Sequence, residues 1–474
     1  MHRIPPYHVK YAFLIFYGLL LSLPSFSQND FVRIGEINVE GLQHTKLLVV
    51  NRELDIHSGD TIELVTLKDV LLRNEKRLLS TGLFNLADIN IKEWNSESAV
   101  IDLDIKLLEN WYFYPAPIFE LADRNFNVWW KEQNCSFSRV NYGLRFDHLN
   151  LTGRKDPVNF TFQTGYTRKY ELDYQFPYFW GRWGLGGNIY YTENKEIGYT
   201  TVNNKTLFVK LPDEPLLLKR FRVTLNVQKR NSAFLYQSLQ LQYNRRWINE
   251  EIALNYNPHF FLNGKSSLRF FQLEYDIKFD KRIFPTYPEG GYFMQLNVRK
   301  EGLGLGDDYD NLSVAVILEK HVKVYKSLYW GARFKAKTNL SEQNIPYILN
   351  SALGYGGDRV RGYELYVIDG SKYLLLKSSW RLKLLEHRYD ISDVMKIKAF
   401  KVMPLTIYTR LTADAAYVID DNEDIIANPL NKKFIYGYGP ALDILLYNNY
   451  VISLEYTFNH FGESAFYFES AFNF

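Results

Sequence analysis

From residue 112 onward the chain alternates apolar and polar residues in short runs, and the polar positions are too hydrophilic to line a second core. Val158-Asn159-Phe160-Thr161-Phe162, Phe271-Gln272-Leu273-Glu274-Tyr275 and Ile452-Ser453-Leu454-Glu455-Tyr456-Thr457-Phe458 show the pattern. A period of two sends successive side chains to opposite faces of a strand. The runs last about nine to eleven residues between turn clusters, the length that crosses a bilayer as a tilted strand. A soluble sandwich or propeller would bury Asn, Lys, Glu and Arg on its second face, which is costly. A water-filled lumen removes that cost. Residues 111–474 are therefore expected to form an all-β transmembrane barrel. Roughly 23 residues per strand and turn make about sixteen antiparallel strands. The aromatic content agrees: 36 tyrosines and 33 phenylalanines coexist with a mean hydropathy of −0.27, as in strands apolar on one side only.

Other features narrow the function classes. The single cysteine, Cys135, excludes an intrachain disulfide framework and a cysteine-cluster metal site. A net charge of +3 exerts no strong pull toward nucleic acid. The nine histidines show no H-x-x-x-H spacing, and no G-x-S-x-G elbow occurs. No enzymatic site, metal or cofactor is expected. His2, Arg3, His8 and Lys10 supply a basic start, residues 11–23 an apolar core, and Ser25-Phe26-Ser27 small residues before Gln28. Residues 1–27 thus read as a secretory signal peptide.

Residues 28–110 read as a small α+β domain. Ile34, Ile37 and Val39 mark a first strand ending at Gly41, and Thr45 caps a helix running to about Leu54. Thr66 and Asp69 form a capping box for a second helix, closed by Gly82. Two strands follow, and in the second Ile101, Leu103, Ile105 and Leu107 alternate with polar residues. The expected order is β-α-α-β-β.

One stretch departs from strand composition: Gly356-Gly357-Asp358-Arg359-Val360-Arg361-Gly362-Tyr363. Glycines permit tight turns and close backbone approach, and an arginine among them projects a five-donor fork at a carboxylate. A surface hairpin loop explains the same composition. Side-chain parity nominates partners. In residues 405–417, Leu405, Ile407, Leu411, Ala413 and Ala415 face lipid, so Thr406, Tyr408, Arg410, Thr412 and Asp414 face the lumen. In residues 451–458 the inward set is Ser453, Glu455 and Thr457. Asp414 and Glu455 are thus candidate acidic partners of Arg361. Trp129-Trp130 and Phe179-Trp180 read as interfacial girdle residues.

Several of these features resemble known families. The order β-α-α-β-β resembles a POTRA domain, as do the phrases Ile37-Asn38-Val39-Glu40-Gly41, Ser80-Thr81-Gly82-Leu83-Phe84 and Leu108-Glu109-Asn110-Trp111. Phe466, Phe468, Phe472 and Phe474 stripe one face of the last strand, which resembles the C-terminal assembly signal of Gram-negative outer-membrane barrels. Val360-Arg361-Gly362-Tyr363 resembles the Val-Arg-Gly-Phe/Tyr motif of the BamA/TamA-type outer-membrane assembly and two-partner secretion superfamily. The phrase Phe279-Asp280-Lys281-Arg282-Ile283-Phe284-Pro285 with Gly290-Gly291 is similar to that family's Asp-x-Arg, Pro and Gly pattern.

The resemblance implies a loop folded back into the lumen, its arginine on acidic wall residues. One departure stands out: where the family has a glutamate two residues before an arginine, this chain has Ser379 before Arg381. The implied function is insertion, assembly or translocation of polypeptides at the outer membrane. A periplasmic POTRA domain would capture unfolded outer-membrane or secreted clients, with chaperones or lipoproteins as possible further partners. A dedicated two-partner secretion pore and a passive porin or receptor remain alternatives.

Overall fold

The computed structural model describes residues 31–214, 216–232, 234–341, 343–396, 400–420 and 428–472. Residues 1–27, where a signal peptide is expected, and Phe474 lie outside the described residues. Residues 31–109 form one layer of sheet and one of helices, in chain order β1 (Phe31–Glu40), α1 (Leu47–Glu53), β2 (Thr61–Glu63), α2 (Leu64–Ser80), β3 (Phe84–Asn95) and β4 (Val100–Glu109). The sheet order is β2-β1-β4-β3, with β1 and β4 parallel. Alternating Ile101, Leu103 and Ile105 of β4 pack on Leu67, Leu71 and Leu78, one stripe of α2.

Three details differ from the sequence reading. The short strand β2 enters between the helices and pairs with β1. Thr45 does not cap α1, because its hydroxyl is taken by Tyr112 Oη at 2.7 Å and by Asn150 Nδ2 at 3.0 Å. Thr66 lies inside α2, which starts at Leu64, and its hydroxyl donates back to the Glu63 carbonyl instead of forming a capping box. Gly82, at φ +74°, does end that helix in the left-handed region.

The remainder is a sixteen-stranded antiparallel sheet in which sequence neighbours pair in turn. Its strands begin with β5 (Phe113–Leu121), β6 (Val140–His148), β7 (Val158–Gly165), β8 (Thr167–Trp180) and β9 (Trp183–Asn194). The helix α3 (Phe126–Lys131) lies between β5 and β6, and a hairpin, β10 (Ile197–Val202) and β11 (Lys205–Val209), follows β9. The sheet continues through β12 (Leu218–Arg230), β13 (Leu235–Ile248), β14 (Ser267–Asp280), β15 (Gly291–Glu301), β16 (Asn311–Tyr325) and β17 (Leu328–Asn339). A loop with two short strands, β18 (Ser351–Leu353) and β19 (Ile368–Asp369), precedes the last five: β20 (Lys372–Asp390), β21 (Val402–Ile419), β22 (Phe434–Leu446), β23 (Tyr450–Asn459) and β24 (Ser464–Phe472). No helix among the described residues is long and apolar enough to cross a membrane.

Parity organises the wall. In β21, Thr406, Tyr408, Arg410, Thr412 and Asp414 are buried inside while Leu411 is 57% exposed outside. Phe466 and Phe468 of β24 also face outward. Trp130, Phe179 and Trp180 are exposed, but Trp129 is buried with Nε1 donating to the Ser136 carbonyl, so it is a packing residue of its loop and not a girdle residue.

The α+β domain docks against the barrel end that carries turns 149–157, 231–234 and 281–290. Lys46 N donates to the Gly153 carbonyl at 2.8 Å, and the Arg77 guanidinium lies 5.1 Å from the Phe234 ring centre. Glu53, at the end of α1, is buried between Arg230 at 2.7 Å and Lys155 at 3.4 Å. Burial pushes its pKa up, but Lys155 and Arg230 outweigh this and hold it at about 2. Undocked, it would titrate near the ordinary 4.5. The docked value is depressed, so the stabilisation is complete above pH 4.5 and is lost as the pH falls toward 2. Spin labels placed on α2 and β13 should therefore show a distance distribution that broadens on acidification through this window. Glu53→Gln should broaden it already at neutral pH, and an unchanged distribution in both cases would show that Glu53 does not hold the domain.

Candidate functional site

Loop 340–371 turns back into the barrel instead of standing in solvent, and Val360 and Tyr363 at its tip are buried. Two glycines make the approach possible. Gly362 adopts φ +81°, and a Cβ there would lie 2.6 Å from the Phe458 backbone. On the wall opposite, a Cβ at Gly437 of β22 would overlap the Arg361 carbonyl oxygen. Gly356 takes φ +56° in the turn before the tip, and neither Gly356 nor Gly357 has a neighbour within 4 Å of a built Cβ.

The close approach delivers Arg361 to two carboxylates. Nη1 donates to Asp414 Oδ1 at 2.9 Å and Nε to Glu455 Oε2 at 2.8 Å, while the Arg361 backbone N–H points at Asp414 Oδ2 at 3.3 Å. Asp414 lies on β21 and Glu455 on β23, so one guanidinium ties the loop to two strands separated by β22. Charge-assisted forks of this kind are short and directional, and breaking one leaves a buried carboxylate without its partner.

The network extends toward the domain end. Arg410 of β21 donates to Glu455 Oε1 at 2.6 Å and makes a two-point contact with Asp443 of β22, at 2.6 and 2.9 Å. Asp443 also accepts from Ser453 Oγ at 2.7 Å and from Tyr287 Oη at 2.5 Å. Tyr287 belongs to turn 281–290, which enters the barrel from the domain end. Its neighbour Glu289 accepts from Tyr408 Oη at 3.0 Å and pairs with Lys383 at 2.5 Å. A continuous polar chain thus joins the tip of loop 340–371 to the turns at the opposite end. Two arginines face three carboxylates at its centre, all inside the wall.

Parity applied to β22 points Asp443 inward, but the Gly437, Gly439 and Pro440 run weakens its strand signature. Tyr287 and Glu289 sit in a turn with no period, so their placement has no local signal. Lys377 reaches the Gly357 carbonyl at 3.4 Å, and Arg381, which follows Ser379 where the resemblance has a glutamate, stacks 4.9 Å over the Tyr287 ring. Among the described residues no group of His, Cys, Asp and Glu is placed to hold a metal ion.

The same loop spans the two edges of the sheet. Among the described residues β5 and β24 share no ladder, and they are the terminal strands of the sheet order. Arg359 pairs with Glu469 of β24 at 2.5 Å and lies 4.6 Å over the Tyr467 ring. From the other edge, beyond β5, Arg124 Nη2 donates to the Leu365 carbonyl at 2.7 Å and Asn125 Nδ2 to the Glu364 carbonyl at 2.6 Å. The side chain of Phe472 lies outside the described residues, while its backbone pairs with Tyr450.

Two variants probe the lock. Arg361→Ala should leave Asp414 without its arginine and Glu455 with Arg410 alone, costing on the order of 3 to 5 kcal/mol, read as a lower temperature for loss of the fast-migrating folded band on gels. In a Cys135→Ser background with a reporter Gly357→Cys, Gly437→Ala should expel the loop and speed thiol labelling from outside. Unchanged labelling would mean that the tip is not seated on β22.

Comparison with known proteins is consistent with this architecture. A profile of the Omp85 superfamily domain matches residues 150–470. The fold is similar to BamA from Haemophilus ducreyi lacking POTRA domains 1–3, with 13% identity and a TM-score of 0.51 over 93% of this chain and 84% of that one. It is also similar to CdiB from Escherichia coli, with 10% identity and a TM-score of 0.50 over 100% of this chain and 99% of that one. No curated protein sequence matches the chain. The profile covers well over half of the residues, and with the sixteen-stranded wall it establishes that the chain belongs to the Omp85 superfamily and is a Gram-negative outer-membrane β-barrel.

Proposed function

We propose that this protein assists the insertion and assembly of polypeptides at the outer membrane, with residues 28–110 acting as a periplasmic POTRA domain that captures unfolded clients. The observation that carries this reading is the contrast between a lumen entered from both ends and a first and last strand that share no ladder. Loop 340–371 and turn 281–290 enter the barrel from opposite ends and meet through buried ion pairs and a hydrogen bond, which narrows the lumen. The terminal strands β5 and β24 meanwhile share no ladder among the described residues, and an unpaired strand edge is a template for another strand. The domain adds a second edge at β3, whose outer half is exposed at Ile91 and Trp94. In this reading the protein changes no covalent bond; it lowers the barrier to strand pairing in the bilayer. Arg361, Asp414 and Glu455 hold the loop that keeps the seam in register.

The test places a photo-crosslinking residue either at the outward-facing Phe119 on the β5 edge or at the lumenal Gln240. Capture of other outer-membrane barrels at Phe119 and not at Gln240 is the expected result. Capture of a single secreted protein at Gln240 would instead make the barrel a two-partner secretion pore. If deletion of residues 31–110 leaves the outer-membrane proteome intact, the domain is structural only and the capture role fails.

A further inference from the structure

Between α2 and the barrel turns lies a cavity of about 530 Å³ that the ion-pair network does not use. One wall is apolar: Leu72 of α2, Phe234, and Ile283, Phe284 and Pro285 of turn 281–290. Leu72 and Ile283 remain 42% and 47% exposed. The rest of the lining is basic, with six arginines and lysines against three carboxylates. Two of those carboxylates are already matched inside the protein, Glu53 by Arg230 and Asp280 by Arg282. Lys76 and Lys281 are exposed, and among the described residues no carboxylate lies within 4.0 Å of either ammonium. The cavity therefore pairs an apolar wall with two cations available to an outside anion.

Its height in the membrane follows from the adjoining wall. Lys281 follows β14 and stands over two aromatic rings, Phe234 at 5.1 Å and Phe279 at 5.8 Å. The same arrangement recurs along this edge, with Lys229 over Trp183 at 4.8 Å and Lys320 over Tyr292 at 5.6 Å. Lys229 and Lys320 share the outward parity of apolar Val227 and Leu318 on their strands, and Lys281 directly follows β14, whose Ile277 has the outward parity of Leu273 and Tyr275. Aromatic rings capped by lysines mark the level where acyl chains give way to headgroups, because the ring prefers the interface and the ammonium snorkels to the phosphate. A cavity opening at that level, apolar on one side and cationic on the other, matches an amphiphile with an anionic head.

We propose that this cavity binds an anionic phospholipid of the domain-side leaflet, its phosphate between Lys76 and Lys281 and its acyl chain along Phe234 and Ile283. The lipid would then bridge α2 to the barrel rim and add to the Glu53 contact that docks the domain. The choice of phospholipid rests on the periplasmic orientation proposed above. The binding test uses purified protein, so its failure and the failure of that orientation are separable.

The experiment is native mass spectrometry of the full-length mature chain carrying phosphatidylglycerol or phosphatidylcholine, with glycerol 3-phosphate as a free-anion competitor. The wild type should retain phosphatidylglycerol preferentially. Each lysine is expected to contribute on the order of fivefold, the value of one cation near an anionic surface, so Lys76→Gln with Lys281→Gln should lower retention by tenfold or more. Ile283→Ser should lower retention of both lipids while keeping the preference, which separates the acyl contact from the charge. Heat-modified gel migration verifies that each variant is folded. Equal retention of the two lipids by the wild type, or an unchanged preference in the double lysine variant, would overturn the proposal. Displacement by glycerol 3-phosphate as effective as by lipid would also overturn it, by making the site one for a soluble phosphate.

Discussion

Arg361 reaches the inner wall only because two backbones touch there, Gly362 of the loop against Phe458 and Gly437 of the wall against the Arg361 carbonyl. Once seated, the guanidinium shares its donors between Asp414 and Glu455, and Glu455 shares its oxygens with Arg410. Removing either arginine leaves buried carboxylate charge without compensation in a confined space, and removing Glu455 takes from both arginines the acceptor they share. This is why a loop of some thirty residues, ordinarily the most mobile part of a barrel, folds into a fixed position. The cost of desolvating these groups is met by geometry: every carboxylate in the cluster receives at least two donors.

The fixed loop also explains how a sheet whose first and last strands share no ladder among the described residues stays a barrel. Arg359 holds Glu469 and Tyr467 on the last strand, and the same loop offers carbonyls to Arg124 and Asn125 beside the first. Side-chain contacts stand in where ladder hydrogen bonds are missing. Such contacts can be released one at a time, whereas a ladder opens cooperatively. A seam of this kind is compatible with strand exchange in a way that a fully hydrogen-bonded closure is not.

Much of this is legible in the sequence because a barrel wall encodes its two faces locally. Polar residues at Thr406, Tyr408, Arg410, Thr412 and Asp414 require a wet interior, and alternation alone orients Glu455. The N-terminal fold is legible for a similar reason, since β4 and α2 carry regular periods. The capping assignments at Thr45 and Thr66 fail because hydroxyls respond to tertiary neighbours: Tyr112 and Asn150, distant in sequence, claim Thr45. The reach of turn 281–290 into the lumen is not legible at all. Tyr287 and Glu289 find Asp443, Tyr408 and Lys383 through space, and nothing in a turn's composition records partners more than ninety residues away.

The central claim is that the tip of loop 340–371 is held inside the barrel by its ion pairs. Hydrogen–deuterium exchange of the full chain in a lipid bilayer tests it most directly. Amides of residues 360–363 should be protected to the same degree as those of β21 and β23, and Glu455→Gln should release that protection while the strands keep theirs. Exchange of 360–363 in the wild type at the rate of an open surface loop would contradict the account.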